Sequence, residues 1–123
     1  MSREFNRTDR LGAQMQRELA VLVRAEIHDP RLGMVTIQEV RVARDLSYAK
    51  VYFTLLGNQL DVREVTRHLN EAAGYLRHLL GQRIIVRSVP ELHFTYDESV
   101  ERGMHLSSLI EKAVRSDKDK SSG

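Results

Sequence analysis

The stretch Glu71-Ala72-Ala73-Gly74-Tyr75 decides how the middle of this sequence folds. Apolar residues recur every three or four positions before it, as at Val65 and Leu69, and again after it from Leu76. We therefore predict two short helices joined with almost no linker. Gly74 supplies backbone freedom at the junction, and the small side chains around it let another backbone come close. Spacing alone leaves two interpretations open: a helix–helix corner that only packs, or a kink that binds nucleic acid.

Hydrophobic periodicity on either side of the kink predicts the remaining elements. They are a helix over residues 7–28, strands over 34–42 and 49–55, helices over 61–73 and 75–81, a strand over 92–96 and a last helix over 97–114. Asn6 or Thr8 is the predicted N-cap of the first helix, and Asp61 that of the second. A shift in apolar spacing between Ile37 and Val40 indicates either a β-bulge or a strand that is buried on both faces. The order is α-β-β-α-kink-α-β-α, with the first two strands forming an antiparallel hairpin.

Length and composition are those of one soluble domain. The chain has 123 residues and no cysteine, which excludes disulfides and thiolate metal sites. No apolar run approaches the roughly 20 residues that span a bilayer, and the N-terminus lacks the apolar core of a signal peptide. We therefore expect a cytoplasmic monomer with no membrane partner. The domain is predicted to occupy residues 1–115, and a disordered polar tail residues 116–123.

Positive charge is concentrated at the start of the chain and after the kink. Between Ala72 and Pro90 there are three arginines and no acidic residue. This distribution favours a polyanionic partner, and the planar guanidinium suits phosphate groups. A genome that favours arginine over lysine explains the arginine content equally well. The candidate RNA-binding residues are Arg3, Arg7, Arg10, Arg44, Ala72, Ala73, Gly74, Arg77, Arg83 and Arg87.

Residue patterns typical of catalysis are weak in this chain. The five histidines are scattered, and no two have the i, i+4 spacing of a helical zinc site. The isolated glycines form no phosphate-binding loop. We therefore predict that the protein is not an enzyme and needs no metal or cofactor. Three tyrosines are candidates for stacking on unpaired bases, namely Tyr48, Tyr52 and Tyr75.

Five segments in a fixed order resemble the ribosome-binding factor A family over nearly the whole chain. They are Arg3-Glu4-Phe5-Asn6-Arg7, Asp29-Pro30-Arg31-Leu32-Gly33, Asp45-Leu46-Ser47-Tyr48-Ala49-Lys50-Val51, Ala72-Ala73-Gly74-Tyr75-Leu76-Arg77, and Val89-Pro90-Glu91-Leu92-His93-Phe94 followed by Asp97-Glu98-Ser99. The resemblance implies an α+β, type-II KH-like fold, with a three-stranded mixed sheet and its helices packed on one face. It also implies that an alanine-x-glycine kink, here Ala72-Ala73-Gly74, replaces the glycine-x-x-glycine loop that clamps nucleotides in KH domains.

The same resemblance implies a role in assembling the bacterial small ribosomal subunit. The expected partners are 16S rRNA and the free 30S subunit, and the family suggests ribosome-assembly GTPases as further partners. The expected activity is late maturation of the subunit, including processing of the 16S rRNA 5′ end, with particular importance in the cold. The family commonly carries a longer basic tail. Residues 116–123, with two lysines and two aspartates, depart from that pattern.

Two other functions fit the paired helices less well. A DNA-binding helix-turn-helix usually has alanine four residues before its turn glycine, where this chain has Asn70, and it needs a turn of three to four residues. A protein–protein interaction module, docking through its sheet face, would bind no nucleic acid at any salt concentration. We rank RNA binding first, DNA binding second and the interaction module third.

Overall fold

A three-stranded sheet forms the centre of the computed structural model, which describes residues 3–99, with side chains from residue 7 onward. The helices are α1 (Arg3–Glu26), a 3-10 turn (Pro30–Leu32), α2 (Val62–Glu71) and α3 (Ala73–Gly81), and the strands are β1 (Met34–Val42), β2 (Tyr48–Leu56) and β3 (Glu91–Tyr96). The strand order is β1-β2-β3, with β1 and β2 antiparallel and β2 and β3 parallel. Because a parallel pair needs a long crossover, α2 and α3 fill the connection from β2 to β3.

The predicted hairpin and its bulge are confirmed. Ile37 pairs with Phe53 and Glu39 with Tyr52, so the register shifts by one residue between Ile37 and Glu39. The side-chain amide of Gln16 on α1 donates to the carbonyl of Ile37 at 2.9 Å, which ties the helix to the bulge. The bulge therefore keeps apolar residues of β1 on the inner face on both of its sides.

The core lies between the sheet and the three helices. Alternate residues of β2, namely Ala49, Val51 and Phe53, are fully buried on the side that the helices cover. The intervening residues lie on the opposite side, which the described helices leave open. This is the predicted α+β arrangement with helices on one face, and it is compatible with a type-II KH-like fold.

Gly12 sets how closely α1 approaches the sheet. A Cβ atom at this position would overlap the carbonyl oxygen of Val40, so only glycine fits without displacing the β1 backbone. Gly33 has a comparable role at the entrance to β1. Its φ is +71°, and an added Cβ would meet the backbone of Leu56 and Asn58 at 2.6 Å.

Several predicted boundaries were wrong at the helix ends. The first helix already includes Arg3, so neither Asn6 nor Thr8 is its N-cap. It ends at Glu26, and Asp29 caps the separate 3-10 turn by accepting from the backbone N–H of Arg31. The N-cap at Asp61 is confirmed, since its carboxylate accepts from the backbone N–H of Glu64 at 2.8 Å. The predicted last helix beyond residue 99 and the predicted tail lie outside the described residues.

Candidate nucleic-acid interface

The kink joins α2 to α3 through one residue. Ala72 is both the C-cap of α2 and the N-cap of α3, with φ −85° and ψ −4°. Its backbone N–H donates to the carbonyl of His68 at 3.2 Å, and its carbonyl accepts from Leu76 at 3.0 Å. The predicted junction is therefore confirmed. A one-residue connection also counts against the helix-turn-helix, which needs three to four residues at this point.

Gly74 is not required by the fold in the way we predicted. The glycines with positive φ in the described chain are Gly33 and Gly57, whereas Gly74 has ordinary helical geometry within α3. A Cβ atom added to it would meet no heavy atom within 4 Å. The absence of a side chain at Gly74 therefore leaves a bare patch of exposed helix backbone, open to a partner and not filled by the protein itself.

A groove runs between the kink and the free edge of β3. It is lined by Asn70, Ala73, Gly74, Arg77, Glu91, Leu92 and His93. The backbone N–H of Glu91 donates to Ser47 and that of Asp97 to Phe53, so the odd-numbered residues of β3 face β2. Leu92 lies between them in the alternation and turns its backbone N–H and C=O to the outer edge. The groove thus joins a backbone hydrogen-bonding edge to the bare patch at Gly74.

Arg77, a predicted phosphate contact, is used within the fold. Its Nε and Nη2 atoms both donate to the carbonyl oxygen of Val89, at 2.9 and 2.7 Å, and the residue is half-buried. The guanidinium thereby holds the segment that leads into Pro90 and β3. These two bonds use two of the five N–H groups of the guanidinium, and Arg77 also lines the groove.

Arg83, also a predicted phosphate contact, is paired with an acid. Its Nε donates to the Glu18 carboxylate at 2.5 Å, which links the residues after α3 to α1. Half-exposed ion pairs of this kind contribute little to stability. The pairing neutralises Arg83 locally, so it is a weaker candidate for an RNA contact than its place in the sequence indicated.

The remaining predicted arginines gather at one end of the molecule. Arg7 and Arg10 on α1 line a hollow together with Arg87, which precedes β3. Arg44 lies in the connection between β1 and β2, which also contributes to that hollow. We call Arg7, Arg10, Arg44 and Arg87 the basic edge. Within residues 7–99 none of the four has an ion pair or a side-chain hydrogen bond, and all four are exposed.

Among the described residues that line this hollow one is acidic, and it is already hydrogen-bonded. The Asp45 carboxylate accepts from both the hydroxyl and the backbone N–H of Ser47, at 2.6 and 3.0 Å. These two hydrogen bonds, the hydroxyl first, lower the pKa of Asp45 below its usual value. Asp45 is therefore ionised at neutral pH and held in its turn, while the arginines around it remain available to an anion.

Arg3 begins α1, but its side chain lies outside the part of the chain that the structure describes. Its predicted RNA contact stays a prediction. Ala72 and Ala73 lie at the kink as expected. The side chain of Ala73 is buried beneath the kink and is therefore not available to a partner. The structure thus separates the candidates into the kink groove on one side and the basic edge at the end of α1.

The three tyrosines proposed for base stacking all have neighbours. On the open sheet face the Tyr48 ring stacks on His93 with centroids 5.4 Å apart, and Arg41 lies 5.4 Å above the Tyr52 ring. The hydroxyl of Tyr75 donates to the Glu26 carboxylate at 3.3 Å. The negative charge of Glu26 is the main reason why the pKa of Tyr75 is raised.

Two exclusions hold for the part of the chain that the structure describes. Residues 7–99 contain no group of three histidine or carboxylate side chains placed to hold a metal ion. None of the helices found there combines the length and apolar character of a transmembrane span.

Hydrophobic periodicity did not identify Asn70 or Ile85 as residues of the candidate site. Asn70 bonds the backbone of β3 at the groove, and its position beside a buried stripe gave no sign of that contact. Ile85 lies in the apolar run at 84–86 that follows α3, yet it is exposed beside the basic edge. The signal available was the run itself, since three consecutive apolar residues in a loop cannot all face inwards.

Comparison with known proteins places the chain in one family. The sequence profile described as "Ribosome-binding factor A" matches residues 7–110. The ribosome-binding factor A of Thioalkalivibrio sulfidiphilus is 53% identical over 118 residues, covering 96% of this chain and 92% of that protein. That of Azotobacter vinelandii is 54% identical over 121 residues, covering 96% and 94%.

Solved structures of the family have the same fold. The crystal structure of ribosome-binding factor A from Thermus thermophilus superposes with a TM-score of 0.65 at 31% identity, covering 72% of this chain and 94% of that one. A Thermus thermophilus homology model, fitted into a cryo-EM map of a complex with the 30S subunit, gives a TM-score of 0.62 at 31% identity and covers 74% and 96%. The chain therefore belongs to the ribosome-binding factor A family.

Proposed function

We propose that this protein is an assembly factor that binds the immature 30S ribosomal subunit through 16S rRNA and promotes its late maturation. Membership of the family supports the proposal. So does the Thermus thermophilus relative, whose structure was fitted into a map of its 30S complex. The proposed activity includes processing of the 16S rRNA 5′ end, with its greatest importance in the cold. The site of action is the cytoplasm, where ribosomes are assembled, and the protein acts as a monomer.

The basic edge carries the proposal. Arg7, Arg10 and Arg87 line one hollow, Arg44 directly precedes Asp45 of that hollow in the chain, and none of the four has an intramolecular partner within residues 7–99. Arginines without partners are ready to exchange water for phosphate oxygens, since no ion pair has to break first. Such contacts fix orientation on the rRNA and provide most of the attraction without reading sequence.

The kink groove supplies a second kind of contact. Gly74 lets a sugar–phosphate backbone approach the helix closely, in a groove whose other side is the outer edge of β3. Arg77 holds the wall of this groove through Val89. In this mechanism the basic edge anchors the protein while the groove fits the shape of the folded rRNA. Assembly GTPases acting on the same particle are proposed as the partners that follow it.

The salt dependence of binding tests the basic edge. Affinity for free 30S subunits is measured at several salt concentrations for the wild type and for single alanine variants of Arg7, Arg10, Arg44 and Arg87. Each variant should lower the magnitude of the log–log slope by roughly 0.7 to 0.9 per lost phosphate contact. Arg24→Ala is the matched control. Arg24 is an exposed residue of α1 that lies about 25 Å from Arg7 along the helix axis. Unchanged slopes in all four variants, or an equal loss in the control, would remove the basic edge from the interface.

Cells lacking the protein test its role in maturation. They should accumulate 16S rRNA with an unprocessed 5′ end, and more so after a shift to low temperature. The wild-type gene should restore mature ends, whereas a variant with all four arginines of the basic edge replaced should not. Normal 16S rRNA ends in the deletion strain at low temperature would refute the maturation role and leave binding to be explained separately.

A further inference from the structure

An isoleucine stands out of the surface at the basic edge. Ile85 is 99% exposed, although it lies between Ile84, which is buried, and Val86, which packs partly against the core. The hydration of a fully exposed isoleucine side chain is unfavourable, and no packing within the described chain compensates for it. Single exposed apolar residues are common, so Ile85 needs a second observation before it can indicate a site.

The second observation is the backbone of Leu46. It is the one non-glycine residue of the described chain with a positive φ, +62°, a conformation that leucine rarely adopts. Its N–H donates to the carbonyl of Ala43 at 2.9 Å, and the Asp45–Ser47 turn holds the other side. The strained turn leaves the Leu46 side chain 38% exposed. Outliers of this kind are concentrated at functional sites.

Leu46 and Ile85 belong to one surface. Both line the hollow that Arg7, Arg10 and Arg87 surround. The only acid there, Asp45, already accepts two hydrogen bonds from Ser47. The hollow therefore combines two exposed apolar side chains with three arginines that have no partner within residues 7–99.

The charge and the size of this surface select its occupant. A stable protein interface buries about 800 Å² on each partner, far more than two apolar side chains provide. Arginines around a small apolar projection instead suit a nucleic acid. The guanidinium groups bind phosphates, and the apolar side chains lie against a base face that stacking has left exposed. A continuous duplex offers no such face, whereas the first unpaired base beyond a helix does.

We infer that Leu46 and Ile85 contact the exposed base at a junction between double-stranded and single-stranded RNA, while Arg7, Arg10 and Arg87 hold the flanking phosphates. The inference rests on the proposed function and adds the class of RNA that the basic edge selects. The protein would then recognise junctions between paired and unpaired rRNA and not duplex in general.

Two hairpin RNAs test the preference. They share one stem, and one of them carries an unpaired 3′ extension with 2-aminopurine as its first unpaired base. The wild type should bind the extended hairpin about tenfold more tightly than the blunt one, the scale of one base contact. It should also change the 2-aminopurine fluorescence. Ile85→Ser should abolish the preference and the fluorescence change, while affinity for the blunt hairpin and its salt slope stay as in the wild type.

A second test variant and a control variant complete the experiment. Leu46→Asn keeps a residue that tolerates positive φ and removes the apolar side chain, so it should act like Ile85→Ser. Val21→Ser is the matched control, because Val21 is 49% exposed on α1 outside this hollow and its loss should change neither measurement. An undiminished preference in both Ile85→Ser and Leu46→Asn, or equal wild-type affinity for the two hairpins, would overturn the junction inference alone. If the wild type bound neither hairpin and also failed to bind free 30S subunits, the proposed function would be overturned as well.

Discussion

Asn70 on α2 forms two hydrogen bonds to the backbone of Phe94 on β3. The backbone N–H of Phe94 donates to Oδ1 at 2.8 Å, and Nδ2 donates to the carbonyl oxygen of Phe94 at 3.1 Å. The side-chain amide thus takes the place of a neighbouring strand at the free edge of the sheet. One asparagine both fixes α2 against β3 and stops the edge from pairing with another chain at this point.

Replacing Asn70 with alanine should destabilise the protein by about 1–2 kcal/mol, because both backbone groups of Phe94 lose their partner at a half-buried site. Urea unfolding followed by circular dichroism measures the change. Gln59→Ala is the control, since Gln59 is an exposed residue whose side chain makes no described hydrogen bond, and it should alter the free energy of unfolding by less than about 0.5 kcal/mol. Equal stability of Asn70→Ala and the wild type would contradict the edge-closing role.

Two glycine-to-alanine substitutions should have opposite effects on stability. Gly12→Ala forces a Cβ into the space of the Val40 carbonyl oxygen and should cost about 1–3 kcal/mol. Gly74→Ala meets open space in a helix and should stabilise the protein by up to about 1 kcal/mol. Thermal unfolding of the two variants beside the wild type checks the contrast. Destabilisation by Gly74→Ala would show that the kink needs glycine for folding.

The Gly74→Ala variant also tests the kink as a binding surface. If rRNA backbone approaches Gly74 closely, a methyl group there should weaken binding to the free 30S subunit about tenfold while the protein remains folded. Equilibrium binding at one fixed salt concentration measures this. Ala25→Ser is the control, because it is an equally small change at an exposed position of α1 outside the groove and should leave the affinity unchanged. Full affinity with an intact fold would show that the kink only packs.

Arg77→Lys should reduce stability although it keeps the charge. The guanidinium donates twice to the carbonyl of Val89, and a lysine amine cannot reproduce that fork, so about 1–2 kcal/mol should be lost. Chemical denaturation measures the loss. Arg63→Lys on α2 serves as the control because Arg63 is exposed and has no described partner. An unchanged denaturation midpoint for Arg77→Lys would show that the bonds to Val89 do not stabilise the fold, and Arg77 would again be a candidate phosphate contact.

Asp29 should remain ionised at pH values well below those at which an aspartate is usually protonated. Its hydrogen bonds to the side chain and the backbone N–H of Arg31 lower the pKa from 3.8 to about 2. Because the folded pKa is the lower one, the stabilisation from this carboxylate is complete above pH 3.8 and is lost as the pH falls towards 2. An NMR titration should place the Asp29 midpoint near 2.

Arg31→Ala should then raise the Asp29 midpoint towards 3.8, since the side-chain hydrogen bond from Arg31 is the largest cause of the lowered pKa. Arg67→Ala is the matched control, because it removes an exposed arginine whose partner is Glu71. A midpoint near 3.8 in the wild type would show that the bonds to Arg31 do not persist in solution.

The sequence by itself determined the elements, their order and the family. Periodicity located three helices and three strands, Asp61 was enough to predict a cap, and the shift at Ile37 left a bulge as one of two alternatives. These features depend on local backbone preferences and on which residues avoid water, both of which act over a few neighbouring positions. The helix start at Arg3 was missed because Asn6 and Thr8, whose residue types favour the N-cap position, lie inside the helix.

Only the tertiary structure decided which arginines are free. Arg77 and Arg83 follow the kink without an acid nearby in sequence, yet the fold brings Val89 and Glu18 to them. Arg7 and Arg87 are 80 positions apart and share one hollow. Ion pairs and hydrogen bonds depend on distances of a few ångströms between segments that the sequence separates widely, so charge patterns can propose a phosphate contact but not show that it is available.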